Sequence, residues 1–340
     1  MLCTVRQRTY NPAMVPVSGP VQALARTCLH SAGSYRLPDT NTVIRLLLRK
    51  PCLLLALGIL LWAGHGPVSA QAVLQEIHGL VFAPDGKGVM VLAHTGLLVY
   101  RDGRWTNLVD VPRDLRSLAL TRNAIYASGR GAPDSPPSEA SGLMKSTDGG
   151  RIWTRLALPG KADFRLMAAG FKSNAVHLIN TAPQLLTPQP GFYQTQDDGG
   201  SWQNVAAHEL SSSIASIAVH PAEPRTLAIG TPDGAFVSRD SGVTFTHLAG
   251  RSVTAVLFDV HGEHVYIARE DAPAVERVSL GADGVRSLAL PIAQRDFITY
   301  IAQNPARSQE LAVATRLGSV FLSANGGVTW RAIAREGRPA

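Results

Sequence analysis

The chain has 340 residues, 32 Lys+Arg against 25 Asp+Glu, a formal charge of +7 and 45% hydrophobic content. Seven of the basic residues but only one acidic residue, Asp39, precede Gln71, so the remainder is close to neutral and lacks the basic excess of a nucleic-acid-binding domain. The cysteines, Cys3, Cys28 and Cys52, also lie in this leading part, which excludes a disulfide framework or thiolate metal site beyond it.

From Val43 a basic stretch (Arg45, Arg49, Lys50) leads into an apolar run from Pro51 to Gly64, and Val68-Ser69-Ala70 offers small residues for cleavage. Residues 43–70 therefore read as a secretory signal peptide cleaved near Ala70, since the run is shorter than the roughly 20 residues of a spanning helix. Residues 1–42 are expected to be an extension outside the native protein, from a start codon placed too early, or a long disordered n-region. The mature chain, 71–340, is about 270 residues, enough for one large domain. It is expected to be exported to the periplasm or secreted, with no stable membrane insertion, as a monomer.

Beyond Gln71 a unit of four short strands, a to d, recurs. Strand a is read at Ile77–Phe82, Leu115–Leu120, Phe164–Ala169, Ile214–Val219, Val253–Phe258 and Ile298–Gln303. Turn residues such as Ala83-Pro84-Asp85-Gly86 follow it, then strand b, then a glycine opening strand c (Gly96, Gly234, Gly318). Short strands punctuated by Gly, Asn and Asp indicate an all-β chain, and four strands per repeat of roughly 40–50 residues indicate a β-propeller. Strand d is anchored by Trp105, Trp153, Trp202, Phe245, a degenerate position near Val285, and Trp330. That spacing predicts six blades, since a seventh would need a strand set for which the length leaves little room. The first unit starts on strand a, so closure is expected from face packing or from residues 71–75 adding an edge strand. Residues 131–140, rich in Pro and Ser, insert into the second blade.

Between strands c and d one turn repeats: Ser146-Thr147-Asp148-Gly149-Gly150-Arg151-Ile152-Trp153, Thr195-Gln196-Asp197-Asp198-Gly199-Gly200-Ser201-Trp202, Ser238-Arg239-Asp240-Ser241-Gly242-Val243-Thr244-Phe245 and Ser323-Ala324-Asn325-Gly326-Gly327-Val328-Thr329-Trp330. Asp or Asn closes such a turn onto backbone N–H groups, and Gly150, Gly199, Gly242 and Gly327 supply a conformation that side chains resist. The aromatic then plugs the core. One catalytic or calcium-binding aspartate would not need four copies, so these residues are structural.

The pattern resembles the Asp-box (BNR repeat) of sialidase-like and glycosyl hydrolase-like exported bacterial β-propellers, and through them sortilin-type and photosystem II assembly factor propellers. The resemblance covers nearly all of the mature chain and speaks for fold more than activity. It implies that ligands meet the face holding the starts of strand a and the b–c loops, opposite the repeated turns. The second position of strand a reads His78, Arg116, Arg165, Ala215, Thr254 and Thr299 around the ring, and the b–c loops add His94, Arg130, Asp233, Asp271 and Arg316. His78, His94, Arg116, Arg165, Arg130 and Arg316 are the candidate ligand-binding residues, suited to an anionic group. His78 and His94 could also begin a metal site, but the sequence places no third ligand beside them, so neither metal nor cofactor is expected. Sialidase chemistry would draw on Arg116 and Arg165 for a substrate carboxylate, Tyr300 as nucleophile, Asp110 or Asp114 as acid, and Glu270 or Glu276 as partner to the tyrosine. His78 stands where that family carries its first arginine. The expected function is a binding or assembly module for a protein, glycan or anionic ligand of the cell envelope, and the alternative is a glycoside hydrolase working at the same face.

Overall fold

The computed structural model describes residues 73–108, 111–112, 115–129, 142–157, 164, 166–180, 191–205, 213–281 and 284–340. All of the regular structure among them is strand, arranged as six antiparallel sheets of a β-propeller. Blade 1 comprises Ile77–Phe82, Val89–Ala93, Gly96–Arg101 and Arg104–Asn107; blade 2 comprises Leu115–Leu120, Ile125–Gly129, Gly142–Ser146 and Thr154–Ala157. Blade 3 runs Leu166–Ala169, Val176–Asn180, Gly191–Thr195 and Gln203–Val205, and blade 4 Ser216–Val219, Leu227–Thr231, Gly234–Ser238 and Thr246–Ala249. Blade 5 holds Val253–Phe258, His264–Arg269, Ala274–Ser279 and Val285–Ala289; blade 6 holds Ile298–Gln303, Leu311–Thr315, Val320–Ser323, Arg331–Arg335 and a fifth strand, Arg338–Pro339. Within each sheet the strands follow chain order, and strand b is buried throughout in blades 1, 2, 4 and 6.

The core is divided among the seams. Six clusters of buried side chains each join two neighbouring blades, as where Ala119, Tyr126 and Leu143 of blade 2 meet Met167, Leu178 and Tyr193 of blade 3. A blade therefore buries its faces only by having neighbours. The d-strand aromatics pack backward, each onto the preceding blade: Trp153 on blade 1, Trp202 on blade 2, Phe245 on blade 3, Trp330 on blade 5 and Trp105 on blade 6. Blade 5 departs from expectation. Val285 is 61% exposed, and Leu280 packs at the seam with blade 4 instead. With no aromatic in its d strand, that seam is filled from the end of strand c.

The four repeated turns share one hydrogen-bond plan. The opening hydroxyl donates to the Asp carboxylate or the Asn side-chain oxygen, at 2.8 Å for Ser146–Asp148 and Thr195–Asp197, 2.7 Å for Ser238–Asp240 and 3.0 Å for Ser323–Asn325. It also accepts from the amides of Gly150, Gly199, Gly242 and Gly327, each at 2.8 Å. The same Asp or Asn oxygen accepts the amides of Ile152, Ser201, Thr244 and Thr329 at 2.9–3.0 Å. These bonds favour the carboxylate. The Ser201 hydroxyl and amide, with the Thr195 hydroxyl, hold Asp197 down at about 2; the Thr244 amide and hydroxyl, with the Ser238 hydroxyl, do the same for Asp240.

A folded-state pKa below the unfolded value, roughly 3.9 for Asp, contributes stability above that value that is lost as pH falls through the folded one. Amide exchange from pH 4 to pH 2 should therefore show the Ser201 and Thr244 amides losing protection. The Thr329 amide, held by the non-ionising Asn325, should keep its protection. Equal loss at all three turns would mean global acid unfolding instead.

Blade 1 makes the corresponding connection with two residues, Asp102 (φ 51°) and Gly103 (φ 78°), the paired left-handed positions of a tight hairpin. Between blades 2 and 3, Asp198 accepts from the Tyr126 hydroxyl (2.5 Å) and the Lys145 ammonium (2.7 Å). Burial works to raise the Asp198 pKa, but the bonds from Lys145 and Tyr126 outweigh it and hold the carboxyl below its usual range.

The ring closes between blades 6 and 1 without a shared sheet. The Leu74 amide donates to the Gly337 carbonyl (2.9 Å), the Thr95 hydroxyl to the Val73 carbonyl (2.8 Å), and the Trp105 indole N–H to the Ile333 carbonyl (2.9 Å). On the opposite face the Asn304 amide side chain and the Arg307 guanidinium both donate to the Gly86 carbonyl. Residues 73–75 thus bridge the seam instead of forming an edge strand, and the added fifth strand comes from the C-terminal end.

Candidate functional site

The innermost strands of all six blades line one axial cavity of about 430 Å³. Its wall takes Leu80, Leu118, Leu166, Ile217, Val256 and Ile301 one per blade, with polar surface between them of nearly equal extent. The end at the starts of strand a carries His78, Ala215, Thr254 and Thr299; Phe171, Pro221, Val260, Gln303 and Pro305 line the other.

A β-bulge recurs at the second position of strand a. Register slips at His78, Arg116, Thr254 and Thr299, each lying between two residues paired with consecutive partners on strand b. In blade 4 the Ala215 amide bonds to the Gly230 carbonyl (2.8 Å) while Ser216 pairs with Gly230. Bulges re-aim side chains beside functional sites, and here they turn successive side chains toward the mouth. His78, Thr254 and Thr299 line the cavity, but Ser117 takes that place in blade 2 and half-buried Arg116 does not line it. The Thr254 hydroxyl donates to the Ile298 carbonyl (2.6 Å), tying blade 5 to blade 6.

Asp110, Asp114, Arg130 and Arg165 lie outside the described residues. Arg316 places its guanidinium 5.6 Å from the centre of the Phe297 ring, and Phe297 lines the mouth. Glu276 and Asp271 face Arg269 at 3.1 and 3.6 Å, and the Glu270 amide donates to the Ser252 carbonyl; among the described residues neither glutamate is hydrogen-bonded to Tyr300. Tyr300 lines the cavity and packs against the cluster between blades 6 and 1. Burial pushes its hydroxyl up to about 12, away from the phenolate a nucleophile requires.

The described acid in the cavity wall is Asp259, and it is engaged. Its carboxylate accepts from the Glu263 and His264 amides (2.8 and 3.2 Å) and faces the His264 ring (3.1 Å). A glycosidase of the usual kind needs two carboxyl groups flanking the scissile bond. Among the described lining residues no second carboxylate joins Asp259.

At the mouth the structure adds a residue that sequence reasoning missed. Glu76, His78 and His94 offer three ligand atoms that all lie within 4.8 Å of one another. The sequence alone carries no signal for it: only the observed pairing of Ile77 with Ala93 sets Glu76 opposite His94 in the antiparallel register.

No family model matches the chain, and no curated protein does. Among solved structures it is similar to a GH74 enzyme of Niastella koreensis (TM-score 0.55, 17% identity, covering 78% of this chain and 46% of that one). It is also similar to the GH74 xyloglucanase from Xanthomonas campestris (TM-score 0.51, 16% identity, 78% and 46%). A weaker likeness is to YCF48 bound to D1 peptide (TM-score 0.46, 18% identity, 79% and 85%). The chain spans about half the length of the GH74 structures. What it shares with these enzymes, at such identities, is the β-propeller fold.

Proposed function

We propose that this protein is an exported binding module whose ligand is a peptide segment of a protein partner, seated in the axial mouth. The four repeated turns are read as Asp-box repeats and residues 43–70 as the export signal. One observation carries the reading: a cavity of about 430 Å³ in which all six blades set aliphatic side chains among polar groups. Its size falls within the roughly 300–1,000 Å³ of ligand sites, which are mainly apolar with a few polar groups fixing orientation. The mouth supplies those groups as His78, Thr254 and Thr299, and a wall that mixes aliphatic side chains with polar groups suits a peptide, which presents apolar side chains between its amides. The GH74 likeness motivates the alternative, hydrolysis of a glycan, which lacks a described carboxylate pair.

The test sets fluorescent hydrophobic peptides against xyloglucan oligosaccharides and chromogenic glycosides. Ala215, exposed at the mouth, can carry an obstruction without disturbing the core. Ala215→Trp should weaken peptide binding at least tenfold while leaving thermal stability unchanged. Turnover of a glycoside lost in Tyr300→Phe and Arg116→Ala, with no peptide retained, would replace this reading by the hydrolase.

A further inference from the structure

We propose that Glu76, His78 and His94 form a binding site for a late first-row divalent transition-metal ion at the axial mouth. The backbone assembles the three residues from both sides of one strand pair. Ile77 lies opposite Ala93 and Gly79 opposite Leu92, so His78 is the extra residue of the bulge, turned toward the cavity mouth. Glu76 takes a left-handed conformation (φ 51°) just where the chain enters the strand. The His94 amide donates to the Gln75 carbonyl (3.2 Å), which holds the start of strand a against the end of strand b. The Thr95 hydroxyl bond to Val73 and the Leu74 amide bond to Gly337 fix the same segment from its other side. The peptide framework is thus set without the metal.

The side chains have freedom to close on an ion. His94 Nδ1 stands 3.8 Å from Glu76 Oε2, and these side chains are 63% and 70% exposed. Ligands around one zinc ion at about 2.0–2.1 Å sit roughly 3–3.5 Å apart. Drawing the group together therefore takes only rotation of two solvent-facing side chains. The bland account is a surface Glu–His pair, which contributes little. The bulge recurs in blades 2, 5 and 6; what sets blade 1 apart is that its extra residue is an imidazole with a ligand atom within 4.8 Å of those of the Glu–His pair.

The donor set selects the ion. Two imidazoles and one carboxylate suit zinc, copper(II) or nickel(II), whereas calcium and magnesium take oxygen ligands. Three protein ligands leave a coordination position open, the arrangement of a reactive or ligand-receiving ion as distinct from a closed structural one. The site does not depend on the peptide-binding reading, and it can hold whether or not a peptide enters the cavity.

The experiment is zinc titration by calorimetry on the whole chain, carrying Cys3→Ser, Cys28→Ser and Cys52→Ser so that no thiol competes. One zinc per chain is expected, with calcium and magnesium giving no heat. Glu76→Gln and His94→Ala, both at exposed side chains that leave the fold intact, should each weaken zinc binding at least tenfold. Absence of zinc binding, or an affinity that neither substitution changes, overturns the site. Because peptide binding is read separately through Ala215→Trp, either proposal can fail without the other.

Discussion

Leu74→Ala should lower the unfolding free energy by about 2–5 kcal/mol, the range for truncating a buried leucine. Leu74 belongs to no strand, yet it is 0% exposed and packs in the cluster that joins Leu80, Val91 and Leu98 of blade 1 to Ala302, Val320 and Ile333 of blade 6. The other five seams follow from consecutive folding of neighbours; this one requires the two ends of the domain to meet. The Leu74 amide meets Gly337, and an added Cβ on Gly318 would stand 2.7 Å from the Leu74 carbonyl. The surroundings are thus already close-packed and have little room to collapse into the space left by truncation. In a domain of this size each kcal/mol moves Tm by roughly 2–4 °C, so scanning calorimetry should register a fall of about 4–20 °C. Val285→Ala, at the exposed position of blade 5, should stay within about 0.5 kcal/mol. Equal effects from the two substitutions would remove Leu74 from the closure.

The blades were legible because the strand boundaries are written locally. Gly96 and Gly234 open strands c where expected, and the turn hydroxyls and Asp or Asn residues bond within five residues of one another. What escaped the sequence lies between blades. Asp198 reads as a turn residue, yet it receives bonds from Tyr126 and Lys145, 72 and 53 residues away. Val285 occupies the anchor's place in the spacing but not in the packing, because a degenerate repeat no longer reports which side chain turns inward. At the mouth, the second position of strand a identified His78 and Thr299, but the same bulge in blade 2 leaves Arg116 out of the cavity wall while Ser117 lines it, a difference the position alone did not carry. Register is a property of two strands, and so the meeting of Glu76 with His94 appears only once Ile77 is paired to Ala93.

Gly327→Ala should cost about 2–5 kcal/mol, well above Gly149→Ala, although both glycines lie in repeated turns with nearly equal φ (84° and 80°). A left-handed backbone costs an L-residue roughly 1–2 kcal/mol, and both substitutions incur it. They differ in what the new methyl meets. A Cβ on Gly149 has nothing within 4 Å, whereas one on Gly327 lands 2.7 Å from Leu288 Cδ1 and 3.2 Å from its Cβ. Leu288 is buried in the seam between blades 5 and 6, and overpacking such a site costs typically 1–3 kcal/mol more. The chain itself draws the same distinction. The place held by Gly149 and Gly326 is taken in the other turns by Asp198 (φ 58°) and Ser241 (φ 68°), while the next place is glycine in all four. Chemical denaturation of the two variants separates the terms: the Gly149→Ala loss measures the backbone conformation, and the excess in Gly327→Ala measures how closely one blade's turn is pressed against its predecessor. If the two losses were equal, that press would contribute nothing, and the glycine would be required by the turn alone.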